Sequence, residues 1–207
     1  THIRHSEKVF IMKRLLIILI LTFSFQALTK ADDIRDFEIE GMSLGDSLLE
    51  FYSLQEIKEE VVNATYYPKS KKMMVVGFKS KEVNLYERYE FHIKKNDKKY
   101  IIYSVKGLIK LSINDCLDKK KIIVSEIENQ INNSKRSDYK GNYGVSFGNS
   151  LAHISDFDFK DGSTIRVWCS EWDHSNEEVK NYLYEDSLAV NLSSKEQINF
   201  VQNEGYK

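Results

Sequence analysis

The ten residues from Cys169 to Glu178, CSEWDHSNEE, hold the densest group of side chains able to do chemistry. Glu171, Asp173 and His174 could share a metal ion, or act as general base and orienter. The stretch follows a predicted strand and is polar, so these side chains are read as a solvated turn. A small hydrolase or metal-dependent enzyme using Glu171–His174 is kept as the alternative. His92 and His153 are scattered, and the chain has no H-E-x-x-H, G-x-S-x-G or P-loop. DFDFKDG, from Asp156 to Gly162, resembles the start of a calcium loop. Such a loop needs an acid at position five, glycine at six and Glu at twelve; here stand Lys160, Asp161 and Val167. Asp156 and Asp158 are therefore read as the solvent face of a strand. GNYGVSFGNS, ending at Ser150, is glycine-rich but lacks the Lys-Ser/Thr of a phosphate loop. No catalytic residue, metal site or cofactor is expected.

The two cysteines, Cys116 and Cys169, carry a different chemistry. Around Cys116, the residues Ile113, Leu117, Ile123, Val124, Ile127 and Ile131 recur at helical spacing, with Ser112 and Asp115 placed to cap. Around Cys169, Ile165 and Val167 alternate with Thr164, Arg166, Trp168 and Ser170, the period of a strand. Each cysteine points from the apolar face of its element, which predicts a disulfide locking helix to sheet. In the chain-entropy account a loop of this length stabilises by roughly 4 kcal/mol. Two free buried thiols are the alternative.

Trp168 and Trp172 are four apart on that strand, with Arg166 and Ser170 between, on the face opposite Cys169. Left open, Arg166, Trp168, Ser170 and Trp172 form an aromatic binding face with a polar handle. Covered by a terminal helix they form a second core layer, the arrangement the sequence favours.

Compartment follows from Met12–Asp33. Lys13 and Arg14 precede the apolar run Leu15–Phe25, then Thr29 and Ala31. This is the layout of a signal peptide cleaved after Ala31, and too short to span a bilayer. Residues 1–11 are read as an upstream or fragment extension, 12–31 as the signal peptide and 32–207 as one mature domain. Without the first 31 residues the chain has 25 basic and 30 acidic side chains, a net charge of −5. That balance gives no footprint for nucleic acid or anionic lipid. Lysine outnumbers arginine 24 to 6 and Pro68 is the only proline, a bias of AT-rich bacterial genomes. The expected location is periplasmic or secreted, with no permanent membrane span.

The elements place these residues in an α+β fold: antiparallel meander sheets with amphipathic helices packed on one face. Ser43 with Asp46, and Ser53 with Glu56, predict two short helices over 43–62. Strands are predicted over 71–80, 85–95 and 99–111. The last should carry Ile101, Tyr103 and Val105 on one face and a bulge at Gly107. A helix over 112–132 precedes a polar loop, 132–144. A hairpin turning at Asp161-Gly162 follows, then a strand DSLAVNLS and a helix capped by Ser194. Two similar halves, 36–111 and 112–207, are suggested by outline without a residue-level repeat.

DFEIEGMSLGDSLLEF (Asp36–Phe51), the hairpin ending KKNDKKYIIYSVKGLI and the Cys116 helix resemble a family of small, exported, uncharacterised proteins of AT-rich marine alphaproteobacteria. That resemblance implies export and a shared fold and carries over no catalytic residue. EGMSLGDSLLEF also resembles the helix start of small periplasmic proteins related to the outer-membrane assembly lipoprotein and the beta-lactamase inhibitor protein, though without the lipid-attachment cysteine of the former. The reading is an exported, non-catalytic binding or envelope-associated protein with an unidentified protein or small-molecule partner. A protein-docking inhibitor or structural partner is the further alternative.

Overall fold

The computed structural model describes residues 33–81 and 85–207. The expected signal peptide and the residues before it lie outside them. Among the described residues no helix is long and apolar enough to cross a membrane.

Among the described residues eight antiparallel strands form one sheet: β1 (Thr65–Tyr66), β2 (Met73–Lys79), β3 (Arg88–Lys94), β4 (Ser104–Lys110), β5 (Ser134–Asn142), β6 (Leu151–Phe159), β7 (Thr164–Glu171) and β8 (Ser187–Ser193). Their order is β1-β2-β3-β4-β8-β7-β6-β5. Two four-stranded meanders thus join at β4 and β8, and each follows a helix: α1 (Leu54–Val62) or α2 (Ile113–Gln130). Two shorter helices, α3 (Glu177–Asn181) and α4 (Lys195–Phe200), flank β8 in the chain.

Local chemistry sets the helix starts. Ser53 and Glu56 form a reciprocal capping box at α1, and Ser112 accepts the Asp115 N–H at α2. Ser194 does the same for Gln197 at α4. Such caps satisfy orphan N–H groups and stabilise by about 1 kcal/mol each. The Ser43–Asp46 pair makes a turn instead of a helix: Asp46 accepts the Ser43 N–H at 2.8 Å. The short helix after it is a 3-10 turn, Leu48–Glu50, capped by Ser47 and Glu50.

One sheet face buries the main core. Phe91, Val105 and Val167 point into it and are fully buried, as are Ile57 of α1 and Cys116 of α2. Each large apolar side chain there contributes roughly 1.5–3 kcal/mol by leaving water. The Cys116–Cys169 disulfide crosses from α2 to β7 with Cα atoms 5.9 Å apart.

α4 packs on the other face. There Phe200 joins Tyr67 and Met73 in a small second cluster. His92 supports it: its Nδ1 accepts from Tyr67 Oη at 2.8 Å and from Gln197 Nε2 at 3.1 Å. Burial holds His92 down at about 4, with Lys106 adding to the effect and Glu90 opposing it.

Three expected details differ. Residues 132–144 are not a loop: β5 is a nine-residue edge strand paired along its length with β6. Both its faces are largely polar, so its neighbour, not its own pattern, makes it a strand. The face of Ile101, Tyr103 and Val105 breaks up, because the Tyr103 N–H bonds the His92 carbonyl while Ser104 is His92's register partner. Two residues oppose one there, as in a bulge. Register runs unbroken through Gly107, so the expected bulge there is absent. Glycine is needed for another reason: a Cβ would lie 2.6 Å from the Tyr86 ring.

Candidate functional site

β7 carries the predicted face residues to the side opposite the disulfide. Arg166, Trp168 and Ser170 stand beside Asp156, Ile154 and Ala152 of β6, and beside Asn191, Ala189 and Ser187 of β8. The ring and cation contacts of Trp168 and Trp172 come from Lys106, Tyr143, Phe147 and Tyr184 rather than from the terminal helix expected over them. α4 reaches only the Arg166 end, where Gln197 and Ile198 border a polar cavity of about 500 Å³ with Asp156, Thr164 and Asn191.

Arg166 is committed within the sheet. Its guanidinium grips both Asp156 oxygens at 2.7 Å, and Tyr139 Oη bonds the same carboxylate at 2.9 Å. Asp156 is 6% exposed, so it is not on a solvent face as the sequence suggested; Asp158 is. The partner that covers Asp156 sits on the next strand, ten residues away.

Trp172 is covered by loop residues. Tyr143 and Tyr184 stack on it, each 4.3 Å away, at interplanar angles of 25° and 15°. Phe147 meets both Trp172 and Tyr184 edge-on at 5.8 Å. The Tyr143 hydroxyl lies 2.7 Å from Ser170 Oγ, tying this stack to the strand face. Trp168, half-buried, lies beneath the Lys106 ammonium at 5.9 Å. Stacked and edge-on pairs of this kind contribute about 0.5–1.5 kcal/mol each beyond their buried area.

The stack carries an exposed apolar rim. Val145 is 98% exposed, Leu183 80% and Tyr182 67%. Val145 sits in a loop that ends at Gly148, where φ is +61° and a Cβ would meet Asp173 Oδ2 at 2.6 Å. Leu183 follows α3 with φ +53°. The Leu183 N–H bonds the Lys180 carbonyl and the Tyr184 N–H bonds the Val179 carbonyl. That is the Schellman ending of a helix, whose left-handed position ordinarily belongs to glycine. A leucine there costs about 1 kcal/mol.

The acid–imidazole group is splayed. His153 Nε2 meets Glu171 at 2.7 Å, while His174 Nε2 meets Asp186 at 3.3 Å. Asp173 turns to the Ser175 hydroxyl and the Asn149 N–H, which hold its carboxyl below the usual range. Neither Glu171 nor His174 lines any of the four cavities described in the structure. Among the described residues no three His, Cys, Asp or Glu side chains are grouped to hold a metal.

One nucleophile–base geometry was not expected. Lys120 Nζ donates to Ser155 Oγ at 2.6 Å, and burial lowers the lysine's pKa. Yet Ser155 is wholly buried and its hydroxyl donates to Asp138. Lys120 and Asp138 border a cavity of about 360 Å³ that Ser155 itself does not line.

Comparisons with protein families, with curated proteins and with solved structures returned no match.

Proposed function

We propose that the chain is an exported, non-catalytic binding protein that docks a protein partner through the rim Val145, Tyr182 and Leu183. One observation carries this reading: an exposed leucine occupies a glycine position, at a cost in stability, beside two other exposed apolar side chains. A strained, exposed apolar residue is a common mark of a binding site. The stacked rings beneath supply a rigid base, and rigid aromatic anchors lose little entropy on binding. The signal-like layout of residues 12–31 and the disulfide support a periplasmic or secreted location. An envelope-associated role and a docking inhibitor are both forms of this reading.

The test is site-specific photocrosslinking in the exported protein. A crosslinker at position 145 should capture one discrete partner, and Trp172→Ala should abolish the adduct. Val62, 83% exposed on α1, is the control position. Capture of the same products from position 62, or an adduct indifferent to Trp172→Ala, overturns the proposal.

A further inference from the structure

The opposite end of the sheet concentrates positive charge that the net acidity of the chain conceals. The turn after β3 and the approach to β2 are lysine-rich, KKNDKK (Lys94–Lys99) and KSKK (Lys69–Lys72). β2 and β3 pair as Met73 with Lys94, so both runs arrive at one end. The start of α4 adds Lys195. The result is an open cleft of about 1190 Å³ walled by Lys71, Lys72, Lys94, Lys95 and Lys195.

The charges in this cleft do not balance. Glu204 is taken by Lys72 at 2.5 Å and Glu196 by Lys94 at 2.7 Å. Lys71, Lys95 and Lys195 have no carboxylate partner among the described residues. Lys71 and Lys95 instead share the Tyr66 ring, at 5.9 and 5.6 Å. Three like charges held round one cleft repel each other and draw in an anion. The uncharged polar groups of the wall are amides, Asn96, Asn199 and Asn203, which both donate and accept toward hydroxyls, and Met73 and Phe200 add apolar surface. The volume exceeds what one inorganic phosphate fills and suits a ligand the size of a sugar or larger.

We infer that this cleft binds a phosphorylated saccharide or polyol, with Lys71, Lys95 and Lys195 on its phosphates and the asparagine amides on its hydroxyls. Lysine is a point-charge binder of phosphate, and several such contacts on one ligand add avidity that a single phosphate lacks. The ligand is either free or the headgroup of a lipid. The cleft lies at the opposite end of the sheet from Trp172, so its occupation leaves the aromatic rim open.

The experiment is calorimetric titration of the full mature chain at low salt with fructose 1,6-bisphosphate, inorganic phosphate and neutral maltotriose. The bisphosphate should bind more tightly than either comparator and weaken as salt rises. Lys71→Gln, Lys95→Gln and Lys195→Gln together should weaken it by about tenfold or more, whereas Lys58→Gln on α1 should not. All four lysines lack ion partners among the described residues, and an unchanged circular dichroism melt checks that the variants fold. Flotation with phosphatidylcholine vesicles carrying phosphatidylinositol 4-phosphate separates the sources. Vesicle binding lost in the triple variant assigns the lipid-borne headgroup; bisphosphate binding alone assigns the free ligand. No binding of either probe, equal binding by the triple variant, or equal binding of maltotriose overturns the inference.

Discussion

The ring of Tyr184 lies 4.3 Å from that of Trp172, with the planes 15° from parallel, and this contact anchors the loop that displays Leu183. The loop is held from both sides: by the Schellman hydrogen bonds at the end of α3, and by Asp186, which accepts the Trp172 N–H at 2.8 Å. Its one uncomfortable residue is the exposed leucine.

Leu183→Gly should therefore stabilise the isolated protein by about 1 kcal/mol, since glycine adopts the left-handed conformation without a Cβ clash. Urea denaturation reads this as a higher midpoint at unchanged slope. The same variant should lose partner capture. A leucine retained for packing would give the reverse, a lower midpoint.

Replacing Cys116 and Cys169 by alanine should lower stability by roughly 4 kcal/mol, by releasing a loop whose ends are 53 residues apart. Reductant should have the same effect on the native chain and none on the double variant. Free-thiol labelling of the unreduced, denatured protein should give no signal.

Acid should destabilise the fold through His92. Its folded pKa is about 4 against an ordinary 6.5, so the unfolded chain takes up the proton first as pH falls. This contribution is full above pH 6.5 and is lost progressively toward pH 4. It amounts to about 3 kcal/mol from the shift alone. Protonated Nδ1 can no longer accept from Tyr67 and Gln197, so α4 should loosen first. Hydrogen exchange in α4 at pH 4.5 against 7 checks this, and His92→Gln should flatten the pH dependence of the melting temperature.

Gly107→Ala should cost about 1–3 kcal/mol, because the added methyl group meets the Tyr86 ring at 2.6 Å, well inside contact distance. Tyr86→Leu in the same chain should recover part of that loss. A double-mutant cycle in thermal denaturation measures the coupling; a coupling of zero would place the cost of the alanine elsewhere.

Most elements were legible because their signals are local. Ser53, Ser112 and Ser194 are caps, Asp161-Gly162 is a turn, and Cys116 and Cys169 stand on apolar faces of correct period. What escaped depends on neighbours remote in sequence. β5 has little apolar pattern of its own and exists because β6 offers a ladder. Asp156 looked exposed until Arg166 and Tyr139 closed over it. Of the candidate site, Trp172 was visible as an aromatic four residues after Trp168, a spacing that puts both on one strand face, although β7 ends at Glu171. Tyr143, Phe147 and Tyr184 were not, since two separate loops deliver them. The lysine runs at 69–72 and 94–99 were readable as charge, but averaging over the chain hid their meeting with Lys195.

The unequal margins of the sheet bear on how the protein behaves when crowded. At one margin β1 offers only two residues of open ladder, too few to seed a foreign strand. At the other, β5 exposes nine, and there Lys135, Arg136 and Lys140 confront any approaching copy with like charges along its length. Neutralising these three side chains should turn that border into a nucleus for fibrils, while the folded monomer keeps its shape.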